Sequence, residues 1–482
     1  MKKGFVFYSA LILLFLSMAN SMNAQSYNEE NALLLHSFRT PQSLIFNPSL
    51  FPENNKVYVT LPGAGLHFVS PASLGDFLHY DANQDLTILD FNQLCDQLSE
   101  SNKLRLGMDV NLLGFGFKIN RMFFTFSSRI AADFSMGLPS STIDFLRKGN
   151  IDANGNPIES MDIVDGDLLN CQAYNEIAIG GGYELSKLGL TVGARLKLLN
   201  GLLNLTTDQT KIELQTSSDY SNLRANVSYQ LNMASVAEFD TNWNPDIHFG
   251  DIINPFNSNN GVAFDLGAKY EMGPITISAS LINLSAGIHW KQNAYKVVPK
   301  NGNTSFEFDG LNMSSLVNGG SINTDSIMNT FKDKMDSLAL DRNNDLDYWH
   351  YIPTQIYVGA NYTFNNLLRG GLTLHGQLDK GLFCKRNDGD VKSGNTFRFN
   401  TTLTAGVNVF NWLEVTLGNS FVFDGGKADF FNPGAALVFT PGTVFQIYLV
   451  TDYISSIYIV DNKAFNCKIG INLLFGKNKK EE

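Results

Sequence analysis

Over residues 104–475, apolar side chains recur at every second position in long runs. Residues 188–198 place Leu188, Leu190, Val192, Ala194, Leu196 and Leu198 on one face and Thr191, Gly193, Arg195 and Lys197 on the other. Residues 262–270 set Val262, Phe264, Leu266, Ala268 and Tyr270 against Asp265, Gly267 and Lys269. Residues 397–409 and 465–475 repeat the scheme. Side chains of a strand point alternately to its two faces, so each run predicts a strand with one oily and one polar side. The runs are roughly 10–16 residues long, against about 5–6 for a soluble strand and about 9–11 for a tilted strand that crosses a bilayer.

The spacing between runs sharpens the reading. Short turns join pairs of runs around Asn120, Ser186-Lys187, Met272-Gly273, 365–369, Phe410-Asn411 and Pro441-Gly442. Long connections lie between the pairs, at 136–173, 200–261, 285–353, 380–396, 424–433 and 452–463. Tight turns at one rim and long extracellular loops at the other mark a transmembrane barrel, and a sandwich gives no reason for the alternation. With a first strand near 56–68, the chain predicts an all-β fold, a transmembrane antiparallel β-barrel of about 14 strands whose main body spans 104–475. It must close, because no strand edge can stay unpaired in hydrocarbon. The last strand ends at Leu474-Phe475, the kind of aromatic ending that barrel-assembly machinery reads, before a charged tail over 476–482.

Composition removes the competing classes. With 12% aromatic and only 17% charged residues, the 482-residue chain is not disordered. It has no repeated apolar runs of about 20 residues, as a helical membrane protein would. A formal net charge of -11 excludes a nucleic-acid partner. At the N-terminus, Lys2 and Lys3 precede the apolar run Phe5 to Leu16 and the small, polar stretch Asn20-Ser21-Met22-Asn23-Ala24. That layout predicts a cleaved secretory signal over 1–24, cut after Ala24 or, as the alternative, Ser21. Residues 25–103 hold the first strand and short amphipathic helices, at 73–78 and 90–98, that would plug or cap the barrel. Further short helices are expected at 141–149 and 327–338. Cys95, Cys171, Cys384 and Cys467 show no C-x-x-C spacing; an oxidising compartment permits disulfides, while Cys467, on the apolar face of its strand, reads as a free thiol.

The residues that bear on function are those of the inward, polar face: Arg105, Asp109, Lys118, Arg129, Glu176, Arg195, Lys197, Lys269, His375, Arg398, Glu414 and Lys468. Both signs occur together, which predicts pairing across the lumen rather than the single-sign ring of an ion-selective pore. Inward glycines such as Gly193, Gly267 and Gly418 leave room for a plug or a passenger. Three Asp/Asn runs, at 81–85, 152–156 and 341–347, place oxygens at alternate positions as calcium loops do, but none has both the sixth-position glycine and the twelfth-position glutamate. Asp341, Asn343, Asp345 and Asp347 stand as a minor metal candidate, with a solvated loop the simpler expectation. No phosphate-loop, dinucleotide, G-x-S-x-G or H-E-x-x-H pattern occurs, so no cofactor is expected. His375 is the one histidine clearly on an inward face, and Asp379 lies four residues on, about 13 Å along a strand. That is too far for direct contact, so the chain does not read as an enzyme.

Ser43-Leu44-Ile45-Phe46-Asn47-Pro48 through Val59-Thr60-Leu61-Pro62-Gly63 resembles the N-terminal signature of uncharacterised outer-membrane barrel proteins of the Bacteroidetes type. Leu113-Gly114-Phe115-Gly116-Phe117 and Leu138-Pro139 through Gly149-Asn150 add to the match, which runs along nearly the whole mature chain. The resemblance implies a domain of unknown function, similar in plan to the long-chain fatty-acid transporter class, in a Gram-negative outer membrane. It transfers no catalytic or binding residues. The expected partners are outer-membrane lipid, the assembly machinery during biogenesis, and a small apolar molecule bound or admitted by the barrel. The alternative is a non-conducting structural or assembly protein whose loops hold a surface protein.

Overall fold

An oily outer face, with every backbone N–H and C=O needing a partner in hydrocarbon, leaves a closed cylinder as the stable arrangement. The computed structural model of the chain has that form. It describes residues 32–477 except 38, 54, 74, 76–77, 82–85, 91–92, 94–95, 97–100, 150–151, 153, 155, 157, 166–167, 217–222, 240–244, 247–249, 251–253, 255–256, 300–303, 309–339, 344–346, 366, 379–396, 425–426 and 455–461. The expected signal at 1–24, most of the helix at 90–98, the helix at 327–338, Cys95, Cys384, Asp379 and the tail beyond Lys477 lie outside the described residues.

Fourteen strands form the barrel. β1 comes in two pieces, Asn55–Thr60 and Gly63–Val69, followed by β2 (Ser101–Ile119), β3 (Met122–Pro139), β4 (Leu169–Leu185) and β5 (Leu190–Thr216). Next come β6 (Asn260–Met272), β7 (Ile275–Trp290), β8 (Thr354–Thr363), β9 (Leu368–Leu378) and β10 (Phe397–Phe410). β11 (Leu413–Asp424), β12 (Lys427–Phe439), β13 (Phe445–Thr451) and β14 (Ala464–Lys477) complete it. Each strand pairs antiparallel with its neighbour, and β1 closes the cylinder, Tyr58 facing Leu474 of β14 on one side and Gly116 of β2 on the other. Pro62 has no N–H and interrupts β1, yet Leu61 still donates to the Ile471 carbonyl at 2.9 Å, so the seam stays shut.

Leu106, Met108, Phe115, Phe124, Ile179, Phe264, Leu266, Leu403 and Ile469 stand exposed on the outer face, as an oil-facing belt requires. Around the short turns Tyr183, Tyr270, Tyr362, Phe364, Phe410 and Trp412 form an aromatic rim, with Phe410 stacked on Trp412 at 4.8 Å. Among the described residues no helix is long and apolar enough to cross a membrane.

The strands outrun the oily alternation that reveals them. β5 runs for 27 residues, and its far half pairs with Leu223–Ser235 and with Ser160–Asp165. Leu223–Ser235 pairs onward with Tyr295–Pro299 and Thr304–Phe308. Much of 136–173, 200–261 and 285–353 is therefore a sheet standing on the rim opposite the short turns, where loops were expected. Beyond the bilayer the ladder continues, but neither face meets lipid, so the sequence there has no need to alternate. The expected helix at 141–149 forms as Ser140–Lys148 and lays Phe145 on Ile163, Val164 and Leu214 of this sheet. The connection 424–433 is likewise shorter than expected. β12 already begins at Lys427, opposite Asp424, and Pro433, which argues against a strand, is tolerated beside a register shift between Ser420 and Val422. Leu78, expected at a helix start, lies in a strand, Leu78–Asp81, paired with Leu86–Leu89; so short an apolar run does not separate the two states.

A cylinder this wide has a lumen that wall side chains alone do not fill. Residues 32–52 fill the half nearest the short turns. A 3-10 turn, Ala32–His36, and a single helical turn, Ser43–Phe46, carry Leu33, Leu34, Leu35, Phe46 and Leu50 into an inward apolar patch made by Ile282, Tyr357, Ala436, Val438, Tyr448 and Val450. Leu44 and Phe51 pack on Tyr58, Phe123 and Leu474. Gly193 and Gly267 are glycine because the plug backbone lies against them: a Cβ at Gly193 would run into the Pro48 carbonyl, and one at Gly267 into Asn47.

The outer belt yields a direct test. Leu266→Lys puts a charge into hydrocarbon and is expected to cost about 2–4 kcal/mol, read as a shift in urea titrations of folding into phospholipid vesicles. Leu449→Ala on the same face should cost about 1–2 kcal/mol at most.

Candidate functional site

Alternation carries Arg129 on β3, Glu176 on β4, Arg195 and Lys197 on β5, and Asp265 on β6 to one patch of the inner wall. Asp265 is its hub. Oδ2 accepts from Arg195 Nε at 2.9 Å and Nη2 at 2.6 Å, and lies 3.0 Å from Lys197 Nζ. Oδ1 accepts the backbone N–H of Asn283 at 2.8 Å. Asn283, held at a positive φ of 60°, turns its own side-chain oxygen to Lys197 Nζ at 2.7 Å. Arg129 Nη2 donates to Glu176 Oε2 at 2.8 Å, and Lys197 Nζ stands 3.5 Å from the same oxygen. Arg195 also reaches the plug, donating from Nη2 to the Ile45 carbonyl at 3.2 Å. Glu176, Arg195, Lys197 and Asp265 are all buried, so each charge depends on these partners. Asp265 was missing from the inward set proposed from sequence, although the alternation puts it on the polar face with Gly267 and Lys269; its position two residues from Gly267 and four from Lys269 was the available signal.

The remaining lumenal candidates are dispersed. Lys468 of β14 donates to Asp109 of β2 at 2.5 Å, Lys118 pairs with Glu184, and Lys269 pairs with Glu271 at 2.8 Å. Glu414 is buried between Arg39 of the plug, at 3.5 Å, and Arg369, at 3.4 Å. Arg105 and Arg398 sit half-buried on the inner faces of β2 and β10. His375 stacks on Tyr357 with ring centres 4.4 Å apart. Its Nε2 bonds Gln355 at 3.1 Å and its Nδ1 bonds Asn400 at 3.0 Å, so both nitrogens are engaged in the wall.

Polar tethers position the plug. His36 lies between Asn361 and Thr373, each at 2.7 Å, and Gln42 exchanges two 2.9 Å bonds with Asn472. Asn47 donates to the Ala268 and Ala279 carbonyls, and Ser280 to the Phe46 carbonyl at 2.6 Å. Each such bond contributes about 0.5–1.5 kcal/mol net, against about 1.5–3 kcal/mol for each buried Leu or Phe. With Leu33, Leu34, Leu35, Leu44, Phe46, Leu50 and Phe51 all buried, apolar contact holds the plug and the tethers set its register. On the lipid side of the wall that Asn47 and Pro48 touch, a groove of about 790 Å³ is lined by Phe124, Gly181, Ala194, Leu266, Ala268 and Ala279.

Only part of the minor metal candidate lies among the described residues. Leu340–Asn343 is a strand paired with Tyr295–Pro299, Asp345 lies outside the described residues, and Asp347 bonds His289 at 2.9 Å. Of the two other Asp/Asn runs, Asn83 and Asp85 lie outside the described residues, while Asp152 accepts the backbone N–H groups of Asn154 and Asn156 in a turn. The Asn156 bond, foremost, holds the Asp152 carboxyl below the usual carboxylate range. Among the described residues no group of His, Cys, Asp and Glu could hold a metal ion, and Cys171 and Cys467 are free thiols.

A closed cylinder with an oily belt, an aromatic rim and a lumen half filled by the segment that precedes β1 defines a plugged β-barrel of the cell outer membrane. Within that class the chain belongs to the family of unknown function DUF5723, whose model matches residues 48–452. No curated protein matches it. Among solved structures it is similar to the toluene transporter TbuX of Ralstonia pickettii, at 10% identity and a TM-score of 0.41, covering 91% of this chain and 94% of that one. A FadL homologue of Pseudomonas aeruginosa gives 11% identity and 0.41 over 91% and 94%. The COG4313 outer membrane channel of Pseudomonas putida F1 gives 8% and 0.33 over 88% and 97%. At such identities and TM-scores the likeness carries no argument about what this chain does.

The hub sets the expected cost of breaking the site. Asp265→Asn strands Arg195 and Lys197 and should lower stability by about 3–5 kcal/mol. Asp162→Asn, whose pair with Lys211 is exposed on both sides, should change it by about 1 kcal/mol or less. Denaturant midpoints of the folded protein in detergent, followed by gel mobility, compare the two.

Proposed function

We propose that this barrel admits a small apolar molecule across the outer membrane and that residues 32–52 are the displaceable closure. The observation that carries the reading is the inner patch of Ile282, Tyr357, Val438, Tyr448 and Val450. Barrel interiors are ordinarily polar. Here part of the lumen is apolar, and three consecutive leucines of the plug cover it, a surface that an apolar guest would occupy equally well once the plug moves. The groove on the opposite side of the same wall supports the reading, since it offers an apolar passenger a resting place next to hydrocarbon. The lumenal charges support it too, because both signs stand paired along the wall in place of the single-sign ring of an ion-selective pore.

A second reading rests on the sheet above the rim. Ser160–Asp165, the far half of β5, Leu223–Ser235 and Thr304–Phe308 form a platform larger than barrel closure requires, which suits a surface partner.

Cells lacking their own apolar-solute channels and carrying this chain should take up radiolabelled naphthalene faster than vector controls, with glycerol uptake unchanged. Leu34→Asp, which places a charge among Leu33, Phe46 and Val450, should loosen the closure and raise uptake several-fold while the barrel still migrates as folded on gels. Uptake equal to the vector control in both proteins would reject the reading and leave the platform as the functional surface.

A further inference from the structure

Between the plug and the wall formed by β1 to β5 lies a small cavity of about 40 Å³, lined by Thr60, Asn111, Ser127, Arg129, Glu176 and Arg195 on the wall side and by Gln42 and Ile45 on the plug side. Three independent features give it a chemistry. First, the charges do not balance. Arg129, Arg195 and Lys197 face Glu176 and Asp265, and Asp109, the further acid near Arg129, is matched by its own pair with Lys468, so with every side chain ionised the buried cluster carries one positive charge in excess. An uncompensated charge away from water is unfavourable. Second, donors face the space with nothing to donate to. Arg129 Nε and Asn111 Nδ2 are buried with no acceptor at hydrogen-bond distance, Asn111 standing near the Tyr448 hydroxyl, and both residues line the cavity. Asn111 stands beside the register shift between Asn111 and Leu113, the kind of bulge that re-aims a side chain. Third, the size is restrictive. At about 40 Å³, against about 10–15 Å³ for one water, the space takes one small ion with a water or two beside it.

We propose that this cavity binds a single small monovalent anion, of the size of chloride, as the counter-ion of the lumenal cluster. Arg129 Nε and Asn111 Nδ2 donate to it, and Thr60 and Ser127 offer hydroxyl donors on the same wall. Glu176 also lines the cavity, but its Oε2 is taken by Arg129 and Lys197 and adds no free negative charge. Water could satisfy the donors but would leave the excess charge, which separates the two occupants. Because Gln42 and Ile45 form the plug side, the anion sits at the seam between plug and wall, and its loss loosens that seam. The inference does not depend on what the barrel admits.

The test compares the full chain in detergent in sodium chloride and in sodium gluconate, an anion too large for the cavity, at equal ionic strength. The melting midpoint should be about 3 °C or more higher in chloride, as ligand binding to the folded state requires. Asn111→Asp supplies the missing charge from the wall itself, so its midpoints in the two salts should coincide. Crystals of the unmodified chain soaked in bromide should show one anomalous peak within hydrogen-bond distance of Arg129 Nε. Equal midpoints in both salts for the unmodified chain, or bromide maps with no peak in the cavity, would overturn the proposal.

Discussion

In hydrocarbon a peptide group has no solvent to bond, and the remainder of this structure follows from that. The backbone must pair with itself, the sheet must close, and a sheet of fourteen strands closes around a space too wide for its own side chains to fill. Something else must occupy it. Here the occupant is the segment that precedes β1, and its demands are written into the wall as glycine at Gly193 and Gly267 and as apolar residues such as Val438 and Val450 on a face that would otherwise be polar.

Two kinds of force divide the lumen between them. Leucine and phenylalanine contacts retain the plug, while hydrogen bonds from His36, Gln42 and Asn47 fix where it sits. Beside it, the Arg129–Glu176–Lys197–Asp265–Arg195 cluster stitches four strands together and reaches the plug through one carbonyl. Most of the charge in the cluster is consumed within it, and the one positive charge left over lies apart from the apolar patch that the plug covers.

The spanning strands were legible because oil imposes a period of two that nothing else in a soluble chain sustains over so many residues. The far half of β5 was not, since its ladder continues where that demand ends. Lys427–Asn432 fell within the expected connection 424–433, and the register shift opposite Pro433 shows how a proline is tolerated in the strand that forms there. The plug left no periodic trace: Leu33, Leu34 and Leu35 are buried on every side, so no face of that segment is polar. Asp265 was hidden for a simpler reason. Between Phe264 and Leu266 it looks like one polar residue among many, and only the register that brings Arg195 opposite it reveals its partner.

The pairing of Gln42 with Asn472 spans 430 positions, and it imposes an order of events. The plug touches strands as late as β14, so the part of the polypeptide made first has nowhere to settle until the part made last is in place. Contacts of such separation form slowly, because a long loop must close before they are rewarded. For that interval three adjacent leucines travel without their partners, a sticky patch on an unfinished chain. Until the trailing strand arrives, that patch is the stretch of chain most prone to stick to a neighbour.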